Sequence, residues 1–210
     1  MLRWFCLVLA MCAAPMVRTH PHVFVDVTLR FQTDAEGRLA GVEVTWAYDD
    51  FFSLLVLEDR GLDPDGDMAL TEAERDALMG FDLSDWPEGF EGALFLYSGA
   101  EKIALGPAEP MDAMMQDGRI VTRHVRAFAP VAADALVIRP YDPSYYAALS
   151  LRDVEGLPEG CVAAMEDADT EAADAIVAEL GGSGYEAFFD EVEVGIHYAD
   201  TGRIECAPSS

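Results

Sequence analysis

Positive charge is scarce in this chain. Thirteen lysines and arginines stand against 39 aspartates and glutamates, for a formal net charge of −26. That shortage excludes nucleic acid and anionic lipid as partners, because both are held by clustered cations. Long apolar runs are missing beyond the first 19 residues, so no later segment is expected to span a bilayer as a helix. Catalytic signatures are missing as well. There is no His-Glu-x-x-His and no phosphate-cradling glycine loop. Ser183 lies among glycines, but Tyr185 stands where a nucleophile elbow needs its last glycine. Carboxylate pairs are abundant, yet in so acidic a chain they carry no information about acid–base catalysis. An enzyme is therefore not expected. Repeats, linkers and low-complexity runs are absent too, which points to a single domain.

Cysteine is sparse, at four residues. Cys6 and Cys12 fall in residues 1–19, which read as a secretory signal: Arg3 supplies the positive start, and residues 4–14 form an apolar stretch too short to span a membrane. The cleavage position is open. A cut after Ala14 leaves Pro15 next, and a cut after Thr19 leaves an atypical residue at the site. The processed protein is expected to be exported to the periplasm, soluble, and a single domain over residues 20–210. In that oxidising compartment Cys161 and Cys206 form an even pair and are expected to join as a disulfide.

The most specific local pattern runs from Asp63 to Glu74. Asp63, Asp65 and Asp67 occupy positions 1, 3 and 5 of an EF-hand-like loop, Thr71 position 9 and Glu74 position 12. Calcium is a hard cation that takes six to eight oxygens, so three alternating aspartates can converge on it. Ala69 would add its backbone carbonyl, and Glu74 would clamp the ion from the start of the next helix. Position 6 is Met68, where the turn calls for positive φ and hence glycine; a non-glycine residue there costs about 1–2 kcal/mol. An acidic helix-joining turn without metal would share much of this pattern.

Around that loop the periodicity predicts a β-hairpin over residues 22–31 and 39–48, then a helix over 51–59 with Phe51, Leu54 and Leu55 near one side, the loop, and a second helix over 71–79. Further strands are expected near 93–98, 102–105, 111–116, 120–128, 135–139, 161–166 and 204–206, with Asp117-Gly118 as a two-residue hairpin turn. Residues 141–146 read as irregular or helical, 170–180 as a helix, and 185–198 as ambiguous. The fold class is α+β: an antiparallel sheet or sandwich with an EF-hand-like helical hairpin inserted at about residues 49–80.

His20-Pro-His-Val-Phe-Val-Asp26 directly after the leader, the tryptophan-bearing strand that follows, and the Asp-x-Asp-Gly-Asp loop form a distinctive set with Tyr141-Asp-Pro-Ser-Tyr-Tyr146 and the Gly160-Cys161 to Cys206-Ala-Pro spacing. Together they resemble a family of exported bacterial proteins of unknown function, commonly labelled the periplasmic component of an uncharacterised ABC-type transport system. The resemblance covers essentially the whole processed chain. It implies association with an inner-membrane metal permease of the nickel/cobalt type or an ABC-type transporter. This chain departs from the family at Met68, where glycine is usual, and ahead of His20, where the family has an alanine cleavage site.

His20 and His22 lie two apart on an extended segment, so their imidazoles point to one side, and Asp26 shares the face of His22. Imidazole nitrogens with a carboxylate suit nickel, cobalt, zinc or copper. His124 or His197 would complete such a set. Met111, Met114 and Met115 offer soft sulfur but sit in a predicted strand, where packing is their ordinary use. The sequence thus reads as a periplasmic accessory of divalent-metal transport, with His20, His22 and Asp26 as transition-metal ligands and calcium in the loop. The rival reading is a calcium-clipped structural or interaction module that docks on a membrane partner and holds no transition metal.

Overall fold

The computed structural model describes residues 20–84, 86, 90–181 and 186–207. The leader over residues 1–19, with Cys6 and Cys12, and the glycine-flanked Ser183 lie outside the described residues. In chain order the elements are β1 (Val23–Thr33), β2 (Leu39–Tyr48), α1 (Asp50–Arg60), α2 (Glu72–Leu78), β3 (Leu94–Ser98), β4 (Glu101–Lys102), β5 (Glu109–Gln116) and β6 (Arg119–Val131). There follow β7 (Leu136–Pro140), β8 (Ala147–Glu155), β9 (Cys161–Glu166), α3 (Thr170–Glu179), α4 (Glu186–Glu191), a 3-10 turn (Gly195–Tyr198) and β10 (Thr201–Cys206).

Strict alternation builds β1. Val23, Val25, Val27, Leu29 and Phe31 are buried, while the residues between them face outward. The turn into β2 is closed by Asp34, whose carboxylate accepts the N–H groups of Glu36 and Arg38. β5 and β6 meet at Asp117 and Gly118, both at positive φ, as a tight hairpin of matched twist requires. The first sheet runs β5-β6-β2-β1-β8 and the second β4-β3-β7-β10-β9. All pairings are antiparallel except that of β1 with β8, which is parallel.

The inner faces of the two sheets share one core. Leu29, Val44 and Leu151 of the first belong to the same apolar cluster as Leu96, Ile138 and Ile204 of the second. Each fully buried Leu or Ile there stabilises the fold by about 2 kcal/mol. The sheets come close at Gly202, where an added Cβ would meet Leu151 at 3.0 Å. The molecule is therefore a mostly β sandwich of α+β type. The Cys161–Cys206 disulfide is formed, and its two residues face each other across β9 and β10.

One region departs from the sequence reading and two others are refined by the structure. β8 was expected to be irregular or helical at its approach, and no strand was expected over its length; it carries Ala, Leu, Arg and Glu, which favour helix, and it becomes a strand by pairing with β1. Residues 186–198, ambiguous in the sequence, contain a short helix and a 3-10 turn. α1 buries Ser53 and Leu57 and leaves Phe51, Leu54 and Leu55 in solvent. Ser53 is the reason: its hydroxyl accepts the Ile120 N–H of β6 at 2.9 Å and donates to the Asp49 carbonyl, so this side of the helix is the one that docks. No described helix is long and apolar enough to cross a membrane.

Candidate functional site

The residues ahead of β1 carry the histidine pair. The His22 N–H donates to the Tyr146 carbonyl at 2.8 Å, which extends the β1–β8 pairing to the end of the sheet. The His20 and His22 rings stand 4.8 Å apart between centroids, in edge contact. Tyr146 flanks His22 at 4.9 Å, and Phe189 of α4 stacks on His20 at 4.2 Å. Both ring nitrogens of His20 are shielded from solvent and have no hydrogen-bond partner among the described residues. Two imidazoles thus sit side by side in an aromatic row, with an apolar wall of the kind that limits solvent access to a metal.

The segment 141–146 sets this row. The Asp142 carboxylate accepts from Ser144 and from the Ala147 N–H, which folds the segment back on itself and aims Tyr146 at His22. Gly195 locks it from the other side by donating to the Pro143 carbonyl. A Cβ at Gly195 would fall 1.8 Å from the Asp142 carbonyl oxygen, so glycine is required by the close approach. Tyr141 stacks on Phe95 at 4.2 Å and Tyr145 on Tyr198 at 3.8 Å, which packs both ends of the segment.

Asp26 is not gathered with the histidines. It lies four residues beyond His22 on β1, about 13 Å along the strand. Arg119 donates to one of its oxygens at 2.7 Å and Arg152 to the other at 2.6 Å. Burial would raise its pKa, but the two guanidiniums outweigh burial and hold it below the usual carboxylate range. Its observed role is to tie β8 and β6 to β1 across the outer face. His124 is more remote still. It pairs with Val44, which pairs with Leu29, so it stands about seven residues, or roughly 23 Å, from the His22 level and on the inner face. His197 lies on the second sheet's side, in a cleft with Arg139 and Arg203. Met111 is exposed on β5, whereas Met115 packs on the core.

The acidic loop does converge in part. Carboxylate oxygens of Asp63, Asp65 and Asp67 all lie within 4.8 Å of one another. Asp63 accepts the N–H groups of Asp67 and Met68, and Asp67 accepts that of Ala69. Met68 has φ 60°, the conformation expected at that position, and its methyl carbon lies 3.9 Å from where a Cβ added to Gly118 would stand. Glu74 is otherwise engaged. Its carboxylate accepts from the hydroxyl and N–H of Thr71 in a capping box and from the Asp63 N–H, and these bonds hold its pKa down. Its oxygens do not belong to the set of carboxylates that converges within 4.8 Å.

Sequence reasoning missed a polar group inside the sandwich. Asp82 is half-buried at the edge of the core and accepts hydrogen bonds from the Tyr48 and Thr122 hydroxyls at 2.9 and 2.5 Å. Burial outweighs these donors and raises its pKa, and burial together with the Asp82 charge pushes Tyr48 up. Thr122, His124 and Arg126 follow one another on the inner face of β6, and Arg126 donates to the carbonyls of Glu91, Leu105 and Gly106. Only their shared alternate positions with Ile120 and Phe128, the buried apolar residues at either end of the same set, could have marked them as inward.

Residues 5–206 match the family described as "Protein of unknown function (DUF1007)", and the chain belongs to that family. No curated protein matches it.

Proposed function

We propose, for this member of an uncharacterised family, that it binds a divalent transition metal at the start of β1 and serves as a periplasmic accessory of a metal transport system. The observation that carries this reading is the His20–His22 pair, two imidazoles 4.8 Å apart with the nitrogens of His20 enclosed and unpartnered among the described residues. An imidazole nitrogen left without a hydrogen-bond partner is costly, and a metal ion supplies what it lacks. Nickel, cobalt, zinc and copper(II) all suit such donors. Asp26 is left out of the ligand set because both its oxygens serve arginines. A permease or ABC-type transporter of the inner membrane would receive or supply the ion.

Titration calorimetry of the exported protein with nickel, zinc or copper(II) tests this. His20→Ala with His22→Ala should abolish binding, while Asp26→Asn should leave the affinity within about threefold of the parent. Binding that persists without both histidines would defeat the reading.

A second reading has its own observations, the three converging aspartates and the exposed Phe51, Leu54 and Leu55 on α1. It makes the chain a calcium-clipped module that docks on a membrane partner. Calcium should then raise the melting temperature, by the equivalent of about 2.7 kcal/mol at a hundredfold excess over Kd. Asp63→Ala with Asp67→Ala should remove that gain. An unchanged melt in millimolar calcium would eliminate the clip.

A further inference from the structure

A cleft of about 470 Å³ opens between α3 and the outer face of the second sheet. Two arginines stand in it. Gly202 pairs with Ile138 and Arg203 with Val137, and Ile138 is fully buried, so Arg139 and Arg203 project from the opposite, outer face. One step along that register sets Thr201 beside Arg139, which makes the two arginines diagonal neighbours on adjacent strands.

Their lack of partners is unusual here. The other arginines and the lysine among the described residues meet carboxylates, carbonyls or, for Arg60, the Phe81 ring. Arg139 and Arg203 make no hydrogen bond or ion pair with any described residue, and the Nε of Arg139 is buried and unsatisfied. This occurs in a chain with 39 acidic residues to 13 basic ones, where carboxylates are never far. Neither guanidinium forms an ion pair with Glu166, Asp167 or Asp169, which line the same cleft, so both forks are left to meet an oxyanion that enters between them.

The remaining walls narrow the ligand. Ile176 of α3 and Ile196 of the 3-10 turn line the cleft and are each 38 % exposed, an apolar surface beside the charged one. Glu166, Asp167 and Asp169 stand exposed at its border and disfavour a second negative charge. The N-terminus of α3 is not the anchor, because the Asp169 carboxylate already accepts the Ala172 N–H. The volume suits a small molecule.

We propose that this cleft binds a small monocarboxylate with an apolar body, its oxygens held by Arg139 and Arg203 and its hydrocarbon part laid on Ile176 and Ile196. This site is separate from the histidine pair and does not depend on it.

Titration of the exported protein with 4-methylpentanoate, followed by calorimetry and by NMR of the arginine Nε–H signals, tests the proposal. Saturable binding with a shift of both arginine signals is expected. Arg139→Gln and Arg203→Gln should each weaken it by about tenfold or more, and Arg203→Lys, which keeps charge without the planar fork, by several-fold. Glu166→Gln should tighten it. Succinate, phosphate and 4-methylpentylamine should bind more weakly than the monocarboxylate. Absence of saturable binding at millimolar concentration, affinity unaffected by either arginine substitution in variants with native circular dichroism, or a preference for phosphate or the amine would overturn it.

Discussion

Lowering the pH from 6.5 to 4 is expected to remove about 3 kcal/mol of stability through one side chain, His124. This imidazole is 1 % exposed, lies edge-on to Trp46 at 4.8 Å, and has no hydrogen-bond partner on either nitrogen among the described residues. Burial, with the Arg126 charge nearby, lowers its pKa from 6.5 to about 4. In the unfolded chain it takes up a proton near 6.5; in the folded protein it resists until about 4. Between those values the unfolded state holds more protons, so stability falls as pH falls, and the loss levels off below the folded pKa. His124→Leu, similar in volume and without polar atoms, should remove this contribution. Asp26 and Asp112, both held low by arginines against the effect of burial, also lose stability on acidification, whereas Asp82, raised by burial, works the other way. All three persist in the variant, so the difference between parent and variant isolates His124. Urea unfolding at several pH values measures it. Parallel stability curves for the two proteins would refute the assignment.

Replacing Cys161 and Cys206 by serine is expected to cost about 4 kcal/mol, the chain-entropy value for the loop they close. The residues are 45 positions apart, so much of the unfolded chain's C-terminal part is restrained by the bond. In the folded protein the same bond fastens β9, an edge strand, to β10, and its half-buried cysteines pack on the core. The denaturant midpoint of the parent should fall on addition of reductant to that of the double serine variant. Equal midpoints for oxidised and reduced protein would show that strand pairing alone secures this edge.

The fold was legible where a pattern is local. β1 and β2 alternate strictly, Asp117-Gly118 demands a hairpin, and the strand Cys161–Glu166 has the expected bounds. β8 was hidden because its composition favours helix and its partner lies at the other end of the chain. The periodicity of α1 groups Phe51, Leu54 and Leu55 but does not say which side docks; Ser53 decides that, because its hydroxyl caps a strand N–H. The candidate site divides in the same way. Spacing placed His20 beside His22, since residues two apart share a strand face. Nothing local could place Tyr146 and Phe189 against them, or show that Asp26 is held by arginines 93 and 126 residues away. Arg139 and Arg203 carry no motif; their meaning lies in what fails to pair with them.

The position of β1 has a consequence for how the molecule reaches its native state. Although β1 is the first strand of the fold, it lies inside the first sheet, with β2 on one side and β8 on the other. Its hairpin partner follows at once, but its second edge stays open until residues near 147–155 have arrived. Such late, long-range closure makes folding slow, since loop entropy must be overcome before the contact rewards it. In the interval the chain presents an unpaired strand edge lined with valines, a template for pairing with other copies. The acidic surface opposes that encounter through like-charge repulsion, so the charge excess protects the chain while it is still incomplete.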